Sequence, residues 1–404
     1  MKASQKKIVS ALLICILLIG GAVIVSREAG VISKAQMTAD TEQTATDKTQ
    51  RAAEQDAAYE AAKTDLIFWY EDDTYAPFLE EAAKEYYLKT GVKVSPECRN
   101  TIDYIGDIYD KTMQDEAFPD VYLISGDNLE EAYLYGLVAV NESGTSKETS
   151  ILPQAKEASA YQGKLLGYPL SYNTCVFVYQ NGYFETVPTS LQAIIDYSDE
   201  NEPAENVEYL LEWDVNDAFY DFPFVANSVS FEKYQSESMD VVYDEGLYQK
   251  DLEFFEAILE SFSIDASKVS EEGIIENFLA GRTLCAIIDT DSLYRLEGYD
   301  YSLMQIPNLN EELVTETCAI TDMLVVNDFS EKGEQAADFA EYVTIDMSGK
   351  LHEMTGHYSV IPSAEPDVTE QTAYQTYETA VPVPDSQDAK DFWVNLQETI
   401  LKYF

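Results

Sequence analysis

The stretch FPDVYLISGDNLEEAYLYGLVAV (118–140) reads as strand, turn and helix in that order. Asp120 opens a short apolar run, Asp127 and Asn128 follow where that strand should end, and a helix runs from about Leu129 to Gly136, the residue type that closes helices in a left-handed conformation. A loop later, YQGKLLGYPLSYNTCVFVYQN (161–181) begins as a hairpin, Tyr161 to Pro169, and leads into an apolar run with the character of a crossing between two lobes.

The same alternation extends in both directions. DLIFWY (65–70) is a short apolar strand, PFLEEAAKEYYLKTG (77–91) an amphipathic helix with Gly91 at its C-cap, and VKVSPE (92–97) a second strand. This βαβ unit predicts an α/β fold with a parallel sheet. Further helices are expected over 190–197, 216–227, 247–261, 271–280, 334–343 and 389–401, and strands over 283–288 and 301–306. Trp69 and Trp213 read as packing residues.

With 404 residues and 46% hydrophobic content the chain can bury one large core or two ordinary lobes. Its net charge of −49 opposes nucleic acid and anionic membrane surfaces. Nearly all of that charge lies from Asp65 onward. Lys2, Lys6 and Lys7 precede an uncharged apolar run, Ile8 to Val25, so the positive-inside rule leaves everything after Arg27 outside the cell. The run falls within the roughly 17 to 25 residues of a spanning helix and exceeds the roughly 7 to 15 of a cleavable signal core. Residues 1–27 therefore read as an N-terminal membrane anchor, with lipidation at Cys15 or cleavage after Ala35 as the alternatives. Residues 28–64 have almost no large apolar side chains and read as a polar tether, its KTQRAAEQDAAYEAAK part having helical composition.

From Asp65 to Phe404 the order of these elements resembles the extracellular solute-binding proteins of ABC importers, most closely the branch containing the maltose-binding proteins. The resemblance implies a two-lobed, periplasmic-binding-protein type II fold with discontinuous lobes joined by hinge crossovers. Lobe one would comprise 65–172 plus about 323–370, and lobe two 173–322 plus about 371–404. The chain would cross near Ser171 to Thr174, near Ala319 to Asp322, and again around 366–375. Ligands in such sheets bind beyond the carboxyl ends of strands, and the matching positions are Tyr70, Glu71 and Asp73 in a first loop that also holds Asp72 and Tyr75. Asp127 and Asn128 follow the third strand, and Tyr172 and Asn173 sit at the crossover. Asp217, Phe219 and Tyr220 lie in WDVNDAFYDFP, Asp291 follows a strand, and Trp393 matches a tryptophan that stacks on sugar rings. Ile124 stands where relatives have a stacking tryptophan, Asp289 and Asp291 where they have another, and Thr74, Asn128 and Gln397 replace basic residues. Acids, amides and aromatics with few cations favour a neutral polyhydroxyl ligand and argue against maltodextrin itself.

Enzyme readings fare poorly. His352 and His357, the only histidines, lie in HEMTGH, but they are five residues apart, about 140° around a helix, where a zinc-protease pair needs four. Both read as ordinary surface residues. There is no P-loop and no G-x-S-x-G. DTDSLYRLE (289–297) lacks the glycine of a calcium loop, and no cofactor or metal is expected. Cys175, Cys285 and Cys318 lie in predicted strands and read as buried free thiols; a Cys175–Cys318 bond would lock two hinge strands.

The sequence thus points to a monomeric, membrane-tethered binding protein that captures a neutral oligosaccharide and passes it to ABC permease subunits, without catalysis. A cationic ligand such as a polyamine, or a surface sensor or adhesion subunit on the same fold, are the alternatives.

Overall fold

The computed structural model describes residues 50–404 apart from 52, 115, 143–149, 185, 202–204, 234–238, 263 and 384–385. It divides into two units, Met1–Lys63 and Thr64–Phe404. The expected anchor, 1–27, and the tether up to residue 49 lie outside the described residues. Of the first unit, residues 53–61 are helical, within the stretch of helical composition. No helix among the described residues is long and apolar enough to cross a membrane.

In the second unit, strand β1 (Leu66–Tyr70) is covered on both faces, which is why LIFWY is apolar throughout. Phe68 meets Phe339 edge-on, while Trp69 packs among Tyr104, Ile105 and Ile108. Helix α1 (Ala76–Thr90) ends at Gly91, whose φ of 80° and N–H bond to the Tyr87 carbonyl make the expected C-cap. It returns the chain to β2 (Val94–Cys98), parallel to β1. Helix α2 (Tyr104–Met113), capped by Asp103, precedes β3 (Val121–Ser125), parallel to β1 on its other side. Buried Asp120 accepts from the Ile67 N–H and the Ser330 hydroxyl, fixing where β3 starts. A 3-10 turn, Gly126–Asn128, leads into α3 (Leu129–Leu134).

The long strand β4 (Tyr168–Gln180) changes partners part-way along. The same sheet holds β5 (Tyr209–Glu212), β6 (Thr283–Asp289), β7 (Tyr301–Met304) and β8 (Cys318–Val326), with β5 pairing β6 rather than β4. From Tyr168 to Thr174, β4 pairs antiparallel with β8; from Cys175 onward it pairs with β6 and β7. Strand β8 likewise pairs with β4 at Ala319–Leu324 and with β3 at Asp322–Val326. The sheet order is β2-β1-β3-β8-β4-β6-β5. Two strands therefore run side by side between its halves, at the two crossings expected near Ser171 and Ala319. At the third expected crossing the chain forms helix Val368–Thr379.

The helix expected over 216–227 is instead one turn, Ala218–Asp221, followed by 3-10 turns at Phe222–Phe224 and Ala226–Ser228. Pro223 explains this: it has no N–H for the Phe219 carbonyl four residues back. That carbonyl accepts instead from the Cys175 and Cys318 thiols, at 3.5 and 3.7 Å. Cys175, Cys285 and Cys318 are buried free thiols and Cys98 an exposed one. Trp213 is fully buried with its indole N–H on Asp221 Oδ1, and Trp69 is nearly so.

Candidate functional site

Where β1 ends, the Asp72 carboxylate accepts from the Thr74 N–H (2.9 Å) and hydroxyl (2.7 Å). The tight turn this makes sends Tyr75 inward, to 1% exposure. The Tyr75 hydroxyl donates to Asp322 Oδ2 at 2.6 Å and lies 2.6 Å from Ser171 Oγ, so the first loop is tied to both crossing strands at once. Against the Tyr75 ring, nearly parallel at 4.2 Å, lies the imidazole of His357. Its Nε2 is 2.8 Å from Thr74 Oγ1 and its Nδ1 2.9 Å from Asp291 Oδ1, in an ion pair.

His357 is thus no surface residue, contrary to the reading of HEMTGH; it is 5% exposed. The reason is Gly356, which ends the helix Ser348–Thr355 at φ 84° and turns the chain inward. His352, on the helix itself, stays half-buried.

Burial and charge pull these groups in opposite directions. Burial disfavours the imidazolium, but Asp291, then Asp322 and Asp72, outweigh it and push His357 up to about 9. Burial raises Asp291 to about 7 against the pull of His357, with Asp289 and Asp322 adding to the rise. Asp322 is raised by burial to about 6, its hydrogen bond from Tyr75 and the charge of His357 opposing, and Asp72 and Asp127 reinforcing. Glu71, half-buried, is raised to about 7 by burial and then by Asp127. Each carboxylate feels the next, so the acids form one connected field running from the end of β3 to the end of β6.

Beyond Asp291 the field continues in a second group. Asn173 donates to Asp289 Oδ2 at 2.9 Å and accepts from the Thr290 N–H and hydroxyl, which joins β4 to the turn after β6. Asp217 caps the short helix through the Phe219 N–H (2.9 Å). It is open to solvent on one side, yet the protein around it raises its carboxyl, with Asp214 and Asp289 contributing. Burial raises the nearby Tyr220 hydroxyl, and Asp289, Glu271 and Asp217 act on it in the same direction.

Of the residues expected from sequence, the structure brings Glu71 beside Asp127 and Asn128, and Asn173, Asp217 and Tyr220 together around Asp289, with Asp291 between the two groups. Others are placed differently. Tyr70 is buried with its ring on Phe68. Tyr172 is 1% exposed and stacks on Tyr377 at 4.2 Å. Asp73 is exposed, and Asp72 rather than Asp73 acts on His357. Phe219 meets Tyr220 edge-on. Trp393 is half-buried against Phe222, Phe231 and Phe392. Sequence reasoning missed Ser171, Asp322 and His357 as members of this cluster. A signal existed for Asp322, the one acid inside the apolar strand CAITDMLVV.

Among the described residues no three acidic, histidine or thiol groups come together as a metal site. The cluster brings together hydrogen-bond acceptors, with amide and tyrosine groups between them and the buried imidazole of His357 among them.

The description bacterial extracellular solute-binding protein fits residues 81–379 of the chain. No curated protein matches the sequence. Among solved structures, the extracellular solute-binding protein from Staphylococcus aureus in complex with maltose is similar, with a TM-score of 0.69 at 19% identity over 85% of this chain and 93% of that one. A cyclo/maltodextrin-binding protein complexed with maltotetraose has a TM-score of 0.71 at 16% identity, covering 85% of this chain and 92% of that one. At these identities the likeness is one of fold, the two-lobed α/β architecture with the crossing strands described above.

Proposed function

This chain belongs to the bacterial extracellular solute-binding proteins, and from that premise we propose that it captures a neutral oligosaccharide between its two lobes and delivers it to an ABC permease. The family binds solutes outside the cell and is not enzymatic. We take the chain to act as a monomer held at the membrane by residues 1–27, with lobe one formed by 65–172 and about 323–370 and lobe two by the remainder of 173–404.

The observation that carries the ligand class is the connected row Glu71, Asp127, Asp322, Asp291, Asp289 and Asp217 with His357 as its internal cation. Carboxylates accept from hydroxyls, and a charge-assisted hydrogen bond contributes up to about 3 kcal/mol. Three or four of these reach the roughly 8 kcal/mol of micromolar affinity. The two solved structures of like fold hold maltose and maltotetraose, which supports a sugar as the class; the missing stacking tryptophan at Ile124 argues for a different sugar.

A thermal-shift screen of the unit Thr64–Phe404 against neutral oligosaccharides tests this. A saccharide at 100 times its dissociation constant adds about 2.7 kcal/mol, and the shift should fall by about half or more in Asp127→Ala. The same acid row supports a second reading, a polyamine in the cleft. Its signature is affinity that falls steeply with ionic strength, which sugar binding does not share.

A further inference from the structure

A cavity of about 410 Å3 lies between the 3-10 turn Thr290–Leu296, strand β7 and the start of helix Val368–Thr379, and shares no lining residue with the cleft. Its walls carry four tyrosines: Tyr294, Tyr299, Tyr301 and Tyr358. Two are rigidly held. Tyr358 is 5% exposed and stacked on His352 at 4.4 Å, and the Tyr299 hydroxyl bonds Gln180 Oε1 at 3.0 Å. The Tyr358 hydroxyl has no hydrogen-bond partner among the described residues.

The carboxylates facing this space, Glu297 and Asp367, have no lysine or arginine beside them in the lining. His352 Nδ1 lies 2.9 Å from the Gly356 carbonyl, which can only accept, so Nδ1 carries a proton, and Nε2 lies 3.9 Å from Glu297 Oε1. The Ser302 hydroxyl is spent on Asn181 Oδ1. A helix N-terminus would ordinarily favour an anion, but Asp367 already caps this one through the Glu370 N–H at 2.8 Å. The field of both carboxylates reaches the tyrosines: burial raises the Tyr301 and Tyr358 hydroxyls, and Asp367 and Glu297 add to it in both.

A set of aromatic faces and carboxylates with no lysine or arginine among them is what an ammonium group requires. We propose that this cavity binds an organic ammonium ion, its charge between Glu297 and Asp367 and its carbon skeleton against the tyrosine faces. Volume is not limiting: at about 30 Å3 per water, the space is that of a dozen waters or so, ample for choline or an extended spermidine.

Isothermal titration of the full chain tests this with choline, spermidine and 3,3-dimethylbutan-1-ol, the uncharged shape analogue of choline. Choline and spermidine should bind, and the analogue should bind at least about tenfold more weakly. In the double variant Glu297→Gln/Asp367→Asn, choline affinity should fall by at least about tenfold, while Asn at 367 still caps the helix and keeps the fold. Equal binding of choline and its analogue would overturn the proposal, as would no binding of either cation at millimolar concentration. Choline binding lost in Asp127→Asn but kept in the double variant would place the cation in the cleft and overturn it too.

Discussion

The imidazole of His357 lies flat on the ring of Tyr75 and 2.9 Å from the carboxylate of Asp291, joining the loop after β1 to the turn after β6. Neither partner would be comfortable alone: a buried cation and a buried anion each lose solvation, and each offsets the other's loss. Because the two come from distant parts of the chain, their protonation reports on how the halves of the sheet meet.

This cluster sets the pH dependence of stability. Asp291, Asp322 and Glu71 are raised to about 7, 6 and 7, so the folded chain keeps protons that the unfolded chain releases near pH 4. Stability therefore falls as pH rises through 4 to 7. His357, raised to about 9, contributes stability that is complete below pH 6.5 and lost as pH rises through 9. Both effects act in one direction, and thermal denaturation should give a lower Tm at pH 7 than at pH 5 and a lower one again at pH 9. With only two histidines in the chain, nitrogen-detected NMR can follow His357 directly. Asp291→Asn should lower its pKa and flatten the loss of stability above pH 7. A Tm that climbs from pH 5 to 9 would contradict this.

Asp127 stands at the solvent end of the acid row, next to Glu71, and holds no buried structural bond comparable to those of Asp120. Asp127→Asn should relax Glu71 toward the ordinary carboxylate range and leave the fold intact. Affinity for the saccharide found by screening should drop by about tenfold or more, the loss of one charge-assisted hydrogen bond. Calorimetric titration of both proteins reads this, and unchanged affinity would remove Asp127 from the site.

How much of this was legible follows from which forces are local. The βαβ unit from Leu66 to Cys98 and the turn at Gly126–Asn128 could be read because apolar alternation and Gly91 act over a few residues. The hairpin Val229–Lys233 with Met239–Tyr243 and the helix Val368–Thr379 carry weaker signals and were not anticipated. His357 was misread because the spacing in HEMTGH was judged on a continuous helix, whereas Gly356 ends that helix. Asp322 and Ser171 join the site only through strand pairing between residues far apart in sequence, which no local pattern encodes. Trp393 was matched by resemblance to a ring-stacking position, and one of its aromatic neighbours, Phe231, lies on the hairpin that the sequence concealed.

Thiol reactivity should separate the cysteines cleanly. In the unit Thr64–Phe404, Cys98 is exposed, its thiol raised by burial and by Asp73, Asp72 and Glu71, whereas Cys175, Cys285 and Cys318 are fully buried and burial pushes their thiols well up. Only the thiolate reacts. A disulfide reagent should label one thiol rapidly in the native protein and four in denaturant. Rapid labelling of two or more would mean that Cys175, Cys285 and Cys318 are not all closed off from solvent as described.

Gly356 and Gly91 offer a matched pair for testing the turn that buries His357. Both cap helices with left-handed backbone, at φ 84° and 80°. A Cβ on Gly91 would meet nothing within 4 Å, whereas one on Gly356 would lie 2.5 Å from Tyr294 Cδ1. Gly91→Ala should therefore cost only the backbone term, about 1 kcal/mol. Gly356→Ala must add the displacement of Tyr294 and should cost at least about 2 kcal/mol. Urea denaturation at pH 7 measures both, and the Gly356→Ala/Tyr294→Ala double variant should recover the excess as a coupling energy. Equal costs at the two glycines would show that the Tyr294 ring does not lie against the Gly356 backbone, and would leave the inward turn of His357 without its support.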